Sequence, residues 1–285
     1  MQPLLHAAFA ALRCPVCRSE LGSTDRSLSC RNRHSFDFAK SGYVNLALAH
    51  GRRPAAGGDT RRQLQRRDVF LSSGAFDFIA DAILVRSRHE GLPCVPFIVD
   101  AGCGTGYHLD RVVGGLAART GRPCVGLGVD LSKEAALTAS RHHKALGFVV
   151  ADVWSDWPIR SHAADLLLSV FAPKNFREMA RTLRPGGQVA VAYPGPCHLI
   201  ELREAVRLMP TTSGKKALYR DQMHRFCEDI SHERILRGVD IAHGDALNLI
   251  LMGPNARHLS EDDIAAWPGK KAVTFDVELL VGRVA

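Results

Sequence analysis

Four residues near the start of the chain have the types and the spacing of a metal site. They follow the pattern Cys14-x2-Cys17-x12-Cys30-x3-His34, in which two short loops each supply two ligands. Thiolate and imidazole groups in this arrangement favour a tetrahedral Zn²⁺ site. Because the protein fills all four positions, we expect the zinc to be structural, with no place left for water or substrate. The alternatives are buried or disulfide-bonded cysteines and a solvated histidine.

A second group of residues has the pattern of a cofactor site. An acid ends a short apolar run at position 100, and the sequence AGCGTG that follows lets the backbone approach a ligand closely. The acid at 130 ends a second apolar run, where a ribose hydroxyl pair would be met. The acid at 152 ends a third run and is expected either near an adenine amino group or as the cap of a turn. The candidate cofactor-binding residues are Asp100, Gly102, Gly104, Gly106, Asp130 and Asp152.

The segment FAPKN, at the end of a fourth apolar run, is the candidate rim for a substrate base. Pro173, Lys174 and Asn175 would lie at the carboxyl edge of the predicted sheet, where open parallel sheets bind their ligands. We assign these three as candidate catalytic residues. The alternative for Pro173 is that it only ends the strand.

Residues 51–75 form a basic connector. Its first half has the Pro, Ala and Gly content of a linker, and a helix is predicted to begin after Asp59 or Thr60. The arginines would share one helical face, which is either simply solvated or contacts an RNA phosphate backbone. We favour phosphate contacts because a zinc module precedes the connector. The candidate RNA-binding residues are Arg52, Arg53, Arg61, Arg62, Arg66 and Arg67.

A parallel sheet would bring these residues together. Apolar runs at 97–100, 124–130, 148–152 and 164–173 predict strands at crossover spacing. A helix ending at 183 or 184, a Pro-Gly-Gly turn and a strand over 188–193 follow. The C-terminal part predicts a strand over 233–241, a helix over 244–253 and a long antiparallel last strand over 271–282. The fold class is therefore α/β with a Rossmann-like, doubly wound sheet.

Dinucleotide enzymes share this architecture, so the sheet alone does not choose a cofactor. The compact D-x-G-C-G-T-G loop, the acid Asp152 and the segment RTLRPGGQVAVAYP together favour S-adenosylmethionine.

Length and composition agree with this organisation. The chain has 285 residues, 46% of them apolar, which suffices for one large domain and a small module. A formal net charge of +8 leans toward a polyanionic partner. The eight cysteines do not resemble a secreted disulfide framework. Residues 3–12 lack the basic flank of a signal peptide, and no apolar run is long enough to cross a bilayer, so we expect a cytoplasmic protein.

Several motifs together resemble one family. They are CPVC with CRNRH, SFDFAKSGYVNL, GDTRRQLQRRDVFLSSGAF, VDAGCGTGYH, VFAPKN with LRPGG, and YPGPCHLIEL, in family order from Cys14 to about Leu202. The whole chain resembles the 23S ribosomal RNA guanine-N1 methyltransferases, which include macrolide-resistance members. The zinc module joined to this core is the specific feature, since the glycine loop by itself is common.

The resemblance implies a class I S-adenosylmethionine-dependent methyltransferase that modifies N1 of a guanine in a 23S rRNA hairpin near the peptide exit tunnel. It also implies a homodimer and a zinc module that aids RNA recognition. By position, cofactor contacts would fall on Phe76, Tyr107, His108 and His198. Phe76 stands where family members carry tyrosine, and His198 is alternatively a proton acceptor or a surface histidine.

We expect three segments: a zinc-binding RNA-recognition module over 1–50, the basic connector over 51–75 and the methyltransferase domain over 76–285. Two other functions stay open on the sequence alone. One is a small-molecule methyltransferase whose zinc knot is a stabilising lid, and the other is a zinc-dependent RNA-binding protein without catalysis. Steep salt dependence is typical of phosphate contacts and separates the first alternative from an RNA enzyme.

Overall fold

A mainly parallel β-sheet forms the centre of the protein. The computed structural model describes residues 3–48, 59–206, 208–209, 214–264 and 271–285. The strands are β1 (Leu21–Ser23), β2 (Ser27–Cys30), β3 (Ser35–Asp37), β4 (Val44–Asn45), β5 (Phe97–Ala101), β6 (Val125–Asp130), β7 (Gly147–Val150), β8 (Ala164–Val170), β9 (Leu183–Pro194), β10 (Cys227–Ile241) and β11 (Lys271–Val284).

Helices cover both faces of this sheet. They are α1 (Pro3–Ala10), α2 (Arg61–Ser72), α3 (Asp77–Arg86), α4 (Tyr107–Thr120), α5 (Lys133–His142), α6 (Phe176–Thr182), α7 (Ile200–Val206), α8 (Lys215–His224), α9 (His243–Leu251) and α10 (Glu261–Ile264), with a 3₁₀ helix at Pro254–Arg257. Among the residues described, no helix has the length and apolar character needed to cross a membrane.

The strand order confirms the predicted doubly wound sheet. Within the described ranges, eight strands pair in the order β10-β11-β9-β8-β5-β6-β7-β4. The pairs from β9 across to β7 are parallel, whereas β11 runs antiparallel to both β9 and β10. The chain order reverses at β5, which has β6 on one side and β8 on the other. Such a reversal opens a crevice at the carboxyl ends of the strands, where ligands of these folds bind.

Successive residues of a central strand pack on opposite faces of the sheet. In β5, Ile98 belongs to the core under α2, α3, α4 and α9, whereas Val99 belongs to the core under α1, α6 and α8. Both side chains are fully buried. Because helices cover both faces, the strands appear in the sequence as continuous apolar runs without polar alternation.

The Pro-Gly-Gly segment lies inside a strand. We expected a helix end at 183 or 184 and a strand from 188, but α6 ends at Thr182 and β9 begins at Leu183. The register with β8 shifts between the pairs Ala164–Leu183 and Leu166–Gln188, so the turn residues form an irregularity within β9. The carboxyl end of β9, which matters for the site, lies where it was predicted.

The N-terminal residues form a small sheet that is attached to the large one. β1, β2 and β3 pair as an antiparallel sheet. Phe36 and Phe38 are half-buried and pack against the hydrophobic core that includes Phe9 of α1. The ring centroids of Phe9 and Phe38 lie 4.8 Å apart. β4 then pairs in parallel with β7, at the edge of the large sheet. Residues 3–48 therefore share a sheet and a hydrophobic core with the methyltransferase domain.

Candidate functional site

The four predicted metal ligands come together. One ligand atom from each of Cys14, Cys17, Cys30 and His34 lies within 4.8 Å of the others. Nδ1 of His34 is 3.5 Å from Sγ of Cys14 and 3.3 Å from Sγ of Cys30. The sulfur atoms of Cys17 and Cys30 are 3.7 Å apart. Ligands bound to one zinc ion at about 2.0–2.3 Å are separated by distances of this order.

The backbone of two turns explains why these ligands converge. In the first knuckle, the N–H of Arg18 donates to the carbonyl of Cys14 at 2.8 Å; in the second, Arg33 donates to Cys30 at 2.9 Å. Arg18 and Arg33 have φ angles of 62° and 65°, a left-handed conformation uncommon for residues other than glycine. Hydrogen bonding from Ser19 lowers the pKa of Cys17 to about 5, which favours the thiolate that zinc binds. The residues thus fit a structural Zn²⁺.

The glycine loop connects β5 to α4. Gly102, Gly104 and Gly106 have φ angles of 82°, 54° and 82°, which side-chain-bearing residues rarely adopt. A methyl group at Gly102 would overlap the side chain of Ala172, and one at Gly104 would lie 3.2 Å from Nη1 of Arg67. The loop therefore requires glycine for both conformation and space, and a ligand in the crevice meets its backbone.

Asp100 is a buried carboxylate at the end of β5. It is 2% exposed, and its Oδ1 has no hydrogen-bond partner in the described part of the chain. Burial and the charge of Asp130 raise the pKa of Asp100 to about 7. An unpaired carboxylate in such surroundings is costly, and a cationic ligand group would relieve that cost. The cationic methionine end of S-adenosylmethionine fits this requirement.

Asp130 and Asp152 follow the two neighbouring strands. The carboxylate of Asp130 accepts the N–H of Gly104 and the N–H of Ser132, each at 2.9 Å, and so ties the glycine loop to the end of β6. Each carboxylate oxygen has a second lone pair available for a hydroxyl group. The carboxylate of Asp152 accepts the N–H of Trp154 at 2.9 Å and the hydroxyl of Ser155 at 2.8 Å. Asp152 thus caps a turn here, and its adenine contact stays a prediction.

An aromatic cluster lines the crevice beside the glycine loop. Phe76, which immediately precedes α3, is 3% exposed. Its ring centroid lies 5.6 Å from that of Phe171, 6.5 Å from His198 and 4.9 Å from Phe275. Burial lowers the pKa of His198 to about 4, so the imidazole is neutral at pH 7. Its Nδ1 is buried without a hydrogen-bond partner among the described residues, which leaves it available to a ligand.

Tyr107 and His108 form the first turn of α4. The hydroxyl of Tyr107 donates to Asp77, and the guanidinium of Arg111 lies 5.5 Å from the tyrosine ring centre. Burial lowers the pKa of His108 to about 4, and its Nδ1 lacks a partner within the described residues. His108 is therefore a second neutral imidazole at the loop. The hydroxyl of Tyr107 is already engaged, so we expect any cofactor contact to involve its ring.

We call residues 171–175, after β8, the acceptor rim. Phe171 is 37% exposed with a φ of 51°, and Pro173 is also exposed. Burial and the charge of Lys215 lower the pKa of Lys174 to about 7. Asn175 is structural, because its Oδ1 caps α6 and its Nδ2 donates to two carbonyls of the loop after β7.

Asp276, which sequence analysis did not single out, fixes the loop that carries His198. This fully buried residue of β11 accepts the N–H of Cys197 at 2.8 Å on its carboxylate and the N–H of Gly195 at 2.8 Å on its carbonyl. Arg234 donates to the same carboxylate at 2.9 and 2.8 Å. In the sequence, Asp276 could have been recognised as an acid among the apolar residues of the last strand, VTFDVELL.

Four of the six predicted RNA-binding arginines lie in α2: Arg61, Arg62, Arg66 and Arg67. Thr60 caps this helix, as predicted, in a reciprocal capping box with Gln63. Arg61 is exposed, whereas Arg62 and Arg66 both pair with Glu261 of α10. An RNA role for Arg62 and Arg66 would require exchange of that partner, and it stays a prediction.

Arg67 lies against the cofactor loop. Its Nη1 pairs with Asp59, and its Nη2 donates to the carbonyl of Met252 at 2.8 Å. Its contact with Gly104 places this guanidinium over the crevice, away from the exposed face of α2. The remaining two predicted residues, Arg52 and Arg53, lie outside the described residues.

Exposed arginines also occur at the zinc knuckles. Arg18, Arg31 and Arg33 are all exposed and immediately flank the metal ligands. Sequence analysis did not assign them, although the segments CPVCR and CRNRH carry the signal. They give the zinc module a positive surface.

Comparison with known proteins agrees with the fold and with the presence of a zinc ribbon. A zinc-ribbon family model described as RlmA, N-terminal, matches residues 12–52, and one described as a methyltransferase domain matches residues 98–187. The crystal structure of the YcgJ protein from Bacillus subtilis, 12% identical, covers 73% of this chain and 98% of that one with a TM-score of 0.50, a likeness of fold alone. The protein is a class I S-adenosylmethionine-dependent methyltransferase with an N-terminal zinc ribbon.

Similarity over nearly the whole chain narrows the class. The 23S rRNA (guanine(748)-N(1))-methyltransferase of Streptomyces fradiae is 36% identical over 278 residues, which cover 95% of this chain and 96% of that one. A relative from Micromonospora griseorubida is 34% identical over 264 residues, 87% of each chain. The chain belongs to the 23S rRNA (guanine-N1)-methyltransferase family.

Proposed function

We propose that this protein transfers a methyl group from S-adenosylmethionine to N1 of one guanine in a 23S rRNA hairpin near the peptide exit tunnel. The observation that supports this most directly is the combination, in one chain, of a zinc ribbon with exposed knuckle arginines and a cofactor crevice. That combination matches a named 23S rRNA guanine methyltransferase along 95% of the chain. A small-molecule enzyme would leave the positive zinc module without a role, and a protein without catalysis would leave the buried carboxylate of Asp100 unexplained.

The cofactor is proposed to bind at the carboxyl ends of β5 and β6. When bound, S-adenosylmethionine supplies an electrophilic methyl group. Asp100 offers negative charge to its cationic end, and the glycine loop offers backbone that can approach it closely. Asp130 offers lone pairs to the ribose hydroxyls, and Phe76 and His198 close the crevice beside it. Binding in one orientation is the main contribution expected of these residues to the rate.

The acceptor base is proposed to lie on the acceptor rim. Phe171 and Pro173 give this edge an exposed, apolar surface, and a guanine turned out of its hairpin would be held against it. Its N1 carries a proton that must leave during methyl transfer.

We assign proton acceptance to Lys174. Its Nζ donates to the carbonyls of Ala172 and Ala192 at 2.6 and 3.3 Å. Those two contacts use both hydrogens of the neutral amine and leave its lone pair free to accept a proton. A pKa of about 7 makes the neutral form available at physiological pH.

The zinc ribbon is proposed to hold the RNA through phosphate contacts of its knuckle arginines, with zinc on Cys14, Cys17, Cys30 and His34. We infer a cytoplasmic location from the ribosomal substrate. The homodimer expected from the family resemblance is checked by sedimentation of the purified protein.

The test is label transfer to ribosomal RNA. Purified protein with tritiated S-adenosylmethionine should label unmodified 23S rRNA, and primer extension should then stop at one guanine. Guanine 748, for which the Streptomyces fradiae relative is named, is the first position to check. A Gly102→Val protein, whose glycine loop cannot form, should give no label. Label only in small molecules, or RNA binding without turnover, would rule out the proposal. Expression in a macrolide-sensitive strain then shows whether the modification confers resistance.

A further inference from the structure

The loop between β7 and β8 presents one tryptophan to solvent and buries another. Trp154 is 64% exposed, whereas Trp157, three residues later, is 1% exposed. Nε1 of Trp157 donates to the carbonyl of Val153 at 2.8 Å, and its backbone N–H donates to Glu178. Trp157 therefore anchors the loop, whereas Trp154 leaves most of its indole in solvent.

Hydrogen bonds hold the backbone of Trp154 from two sides. The carboxylate of Asp152 accepts its N–H at 2.9 Å, and Nδ2 of Asn175 donates to its carbonyl at 3.1 Å. Asn175 also donates to the carbonyl of Ser155 at 3.1 Å. The exposed indole is thus carried on a fixed turn, so little backbone ordering would oppose a stacking contact.

This turn lies between the two sites. On one side, Asn175 links it directly to the acceptor rim, of which it is the last residue. On the other side, Asp156 pairs with Arg13 at 2.9 Å and with Arg18 of the first zinc knuckle at 3.2 Å. The side chain of Arg18 is 71% exposed. The turn that carries Trp154 therefore contacts both the first zinc knuckle and the acceptor rim.

The charges near the turn favour a negatively charged partner. Arg18 lies on the zinc side, and Lys215 is close enough to Lys174 to lower its pKa, which places a second cation near the rim. The acids of the turn are engaged within the protein, Asp152 by the N–H of Trp154 and Asp156 by Arg13 and Arg18. An exposed aromatic ring near cations is an arrangement by which proteins bind single-stranded nucleic acid, since every base has a face on which such a ring can stack. With a net charge of +8, the chain favours the same partner.

We propose that Trp154 stacks on an unpaired base of the RNA next to the guanine that is methylated. The proposal rests on the proposed function and adds to it a contact for a second nucleotide. Stacking of this base on the indole would hold the RNA strand open while the neighbouring guanine occupies the acceptor rim.

The experiment compares Trp154→Ala and Trp154→Phe with the wild type, using a transcript of the hairpin located by primer extension. Loss of one base–aromatic stack should weaken RNA affinity by about fivefold to a hundredfold in the alanine variant. The phenylalanine variant should keep part of that affinity. The dissociation constant for S-adenosylmethionine and the melting temperature should not change. Leu236→Ala, which trims another exposed apolar side chain, is the control and should bind RNA normally.

Tryptophan fluorescence gives a second readout that needs no alanine variant. RNA should quench the wild-type emission, and Trp154→Phe should remove most of that quenching although Trp157 and Trp267 remain. Wild-type RNA affinity in Trp154→Ala, or equal loss in both variants, would overturn stacking. A changed sedimentation coefficient with unchanged RNA affinity would overturn it in favour of a protein contact. If the wild type does not methylate RNA at all, the proposed function fails first, and that result is independent of Trp154.

Discussion

Replacing Asp100 by asparagine should stabilise the protein in the absence of cofactor while it weakens cofactor binding. The folded protein holds this carboxyl with a pKa of about 7 against an ordinary value of 3.8. One pKa unit corresponds to about 1.4 kcal/mol, so ionising Asp100 at pH 8 costs the fold about 4 kcal/mol. The asparagine amide adds an unsatisfied donor at about 1–3 kcal/mol, which leaves a net gain of about 2 kcal/mol.

The pH dependence of this stability effect follows from proton binding to Asp100 in the folded and unfolded states. Between about pH 4 and pH 7 the folded state keeps a proton that the unfolded state has released. The Asp100 contribution to wild-type stability is therefore favourable at low pH and is lost as pH rises through the folded pKa. Asp100→Asn removes this dependence. Its advantage should be largest above pH 7 and should vanish at about pH 5. Near pH 4 the cost of the amide should make the variant less stable than the wild type by about 2 kcal/mol.

Cofactor binding should change in the opposite direction. Only the ionised carboxylate attracts the cationic end of S-adenosylmethionine, so wild-type affinity should fall by up to about tenfold per pH unit below pH 7. The asparagine variant should bind more weakly at pH 8, with little dependence on pH.

Thermal melting and titration calorimetry between pH 5 and pH 8 measure both effects. A net gain of about 2 kcal/mol corresponds to a melting temperature higher by about 5 °C. Asp81→Asn removes an exposed carboxylate from α3 and is the matched control, for which we expect no change in either quantity. Two results would show that the carboxylate is not held as described. One is an Asp100→Asn protein that melts below the wild type at pH 8, and the other is an Asp100→Asn protein whose own cofactor affinity still falls below pH 7.

Four further predictions concern the loop, the metal, the proton acceptor and the last strand. Gly102→Ala should weaken S-adenosylmethionine binding by calorimetry at least about tenfold, because its methyl group has no space, whereas Gly114→Ala in α4, with open space around it, should not. Cys17→Ser should lower the zinc content by mass spectrometry and reduce RNA affinity more than cofactor affinity; equal loss of both would contradict the assignment of RNA recognition to the zinc ribbon. With saturating substrates, kcat should rise up to tenfold per pH unit toward pH 7 and then level off, and Lys174→Gln should lower kcat and flatten this profile. Asp276→Asn should lower the free energy of unfolding by about 2 kcal/mol at neutral pH in urea, because the charge-assisted hydrogen bonds from the partly exposed Arg234 to this buried carboxylate are lost. Because the folded pKa of this carboxyl is depressed, the difference should shrink as pH falls below about 4.

The parts of the fold that local sequence determines were predictable. Central strands such as β5 and β6 are buried on both faces and so form continuous apolar runs, each ending near a glycine or an acid. The zinc ligands were predictable because their spacing lets two turns supply one tetrahedron. The Thr60 cap of α2 followed from a local side-chain preference in the same way.

Contacts between distant segments were not predictable. The charge run in α2 has the pattern of a solvated or RNA-binding face, but the partner of Arg66, Glu261, lies 195 residues later. Likewise, the link from Asp276 to the His198 loop depends on the register between β11 and β9. Charge indicates that a side chain needs a partner of opposite charge or solvent, and periodicity indicates which face of its helix or strand it occupies. Tertiary packing determines which partner it receives, and a single sequence does not contain that choice in local form.

The two-residue pairing of β4 with β7 has a consequence for substrate choice. The zinc ribbon ends as a strand of the catalytic sheet and shares its hydrophobic core, so one folded unit carries both the knuckles and the acceptor rim. For the proposed reaction, a guanine is then chosen by how far it lies from the part of the hairpin held at the knuckles. In such an enzyme the dimensions of the RNA fold decide which nucleotide is methylated, before any base edge is read.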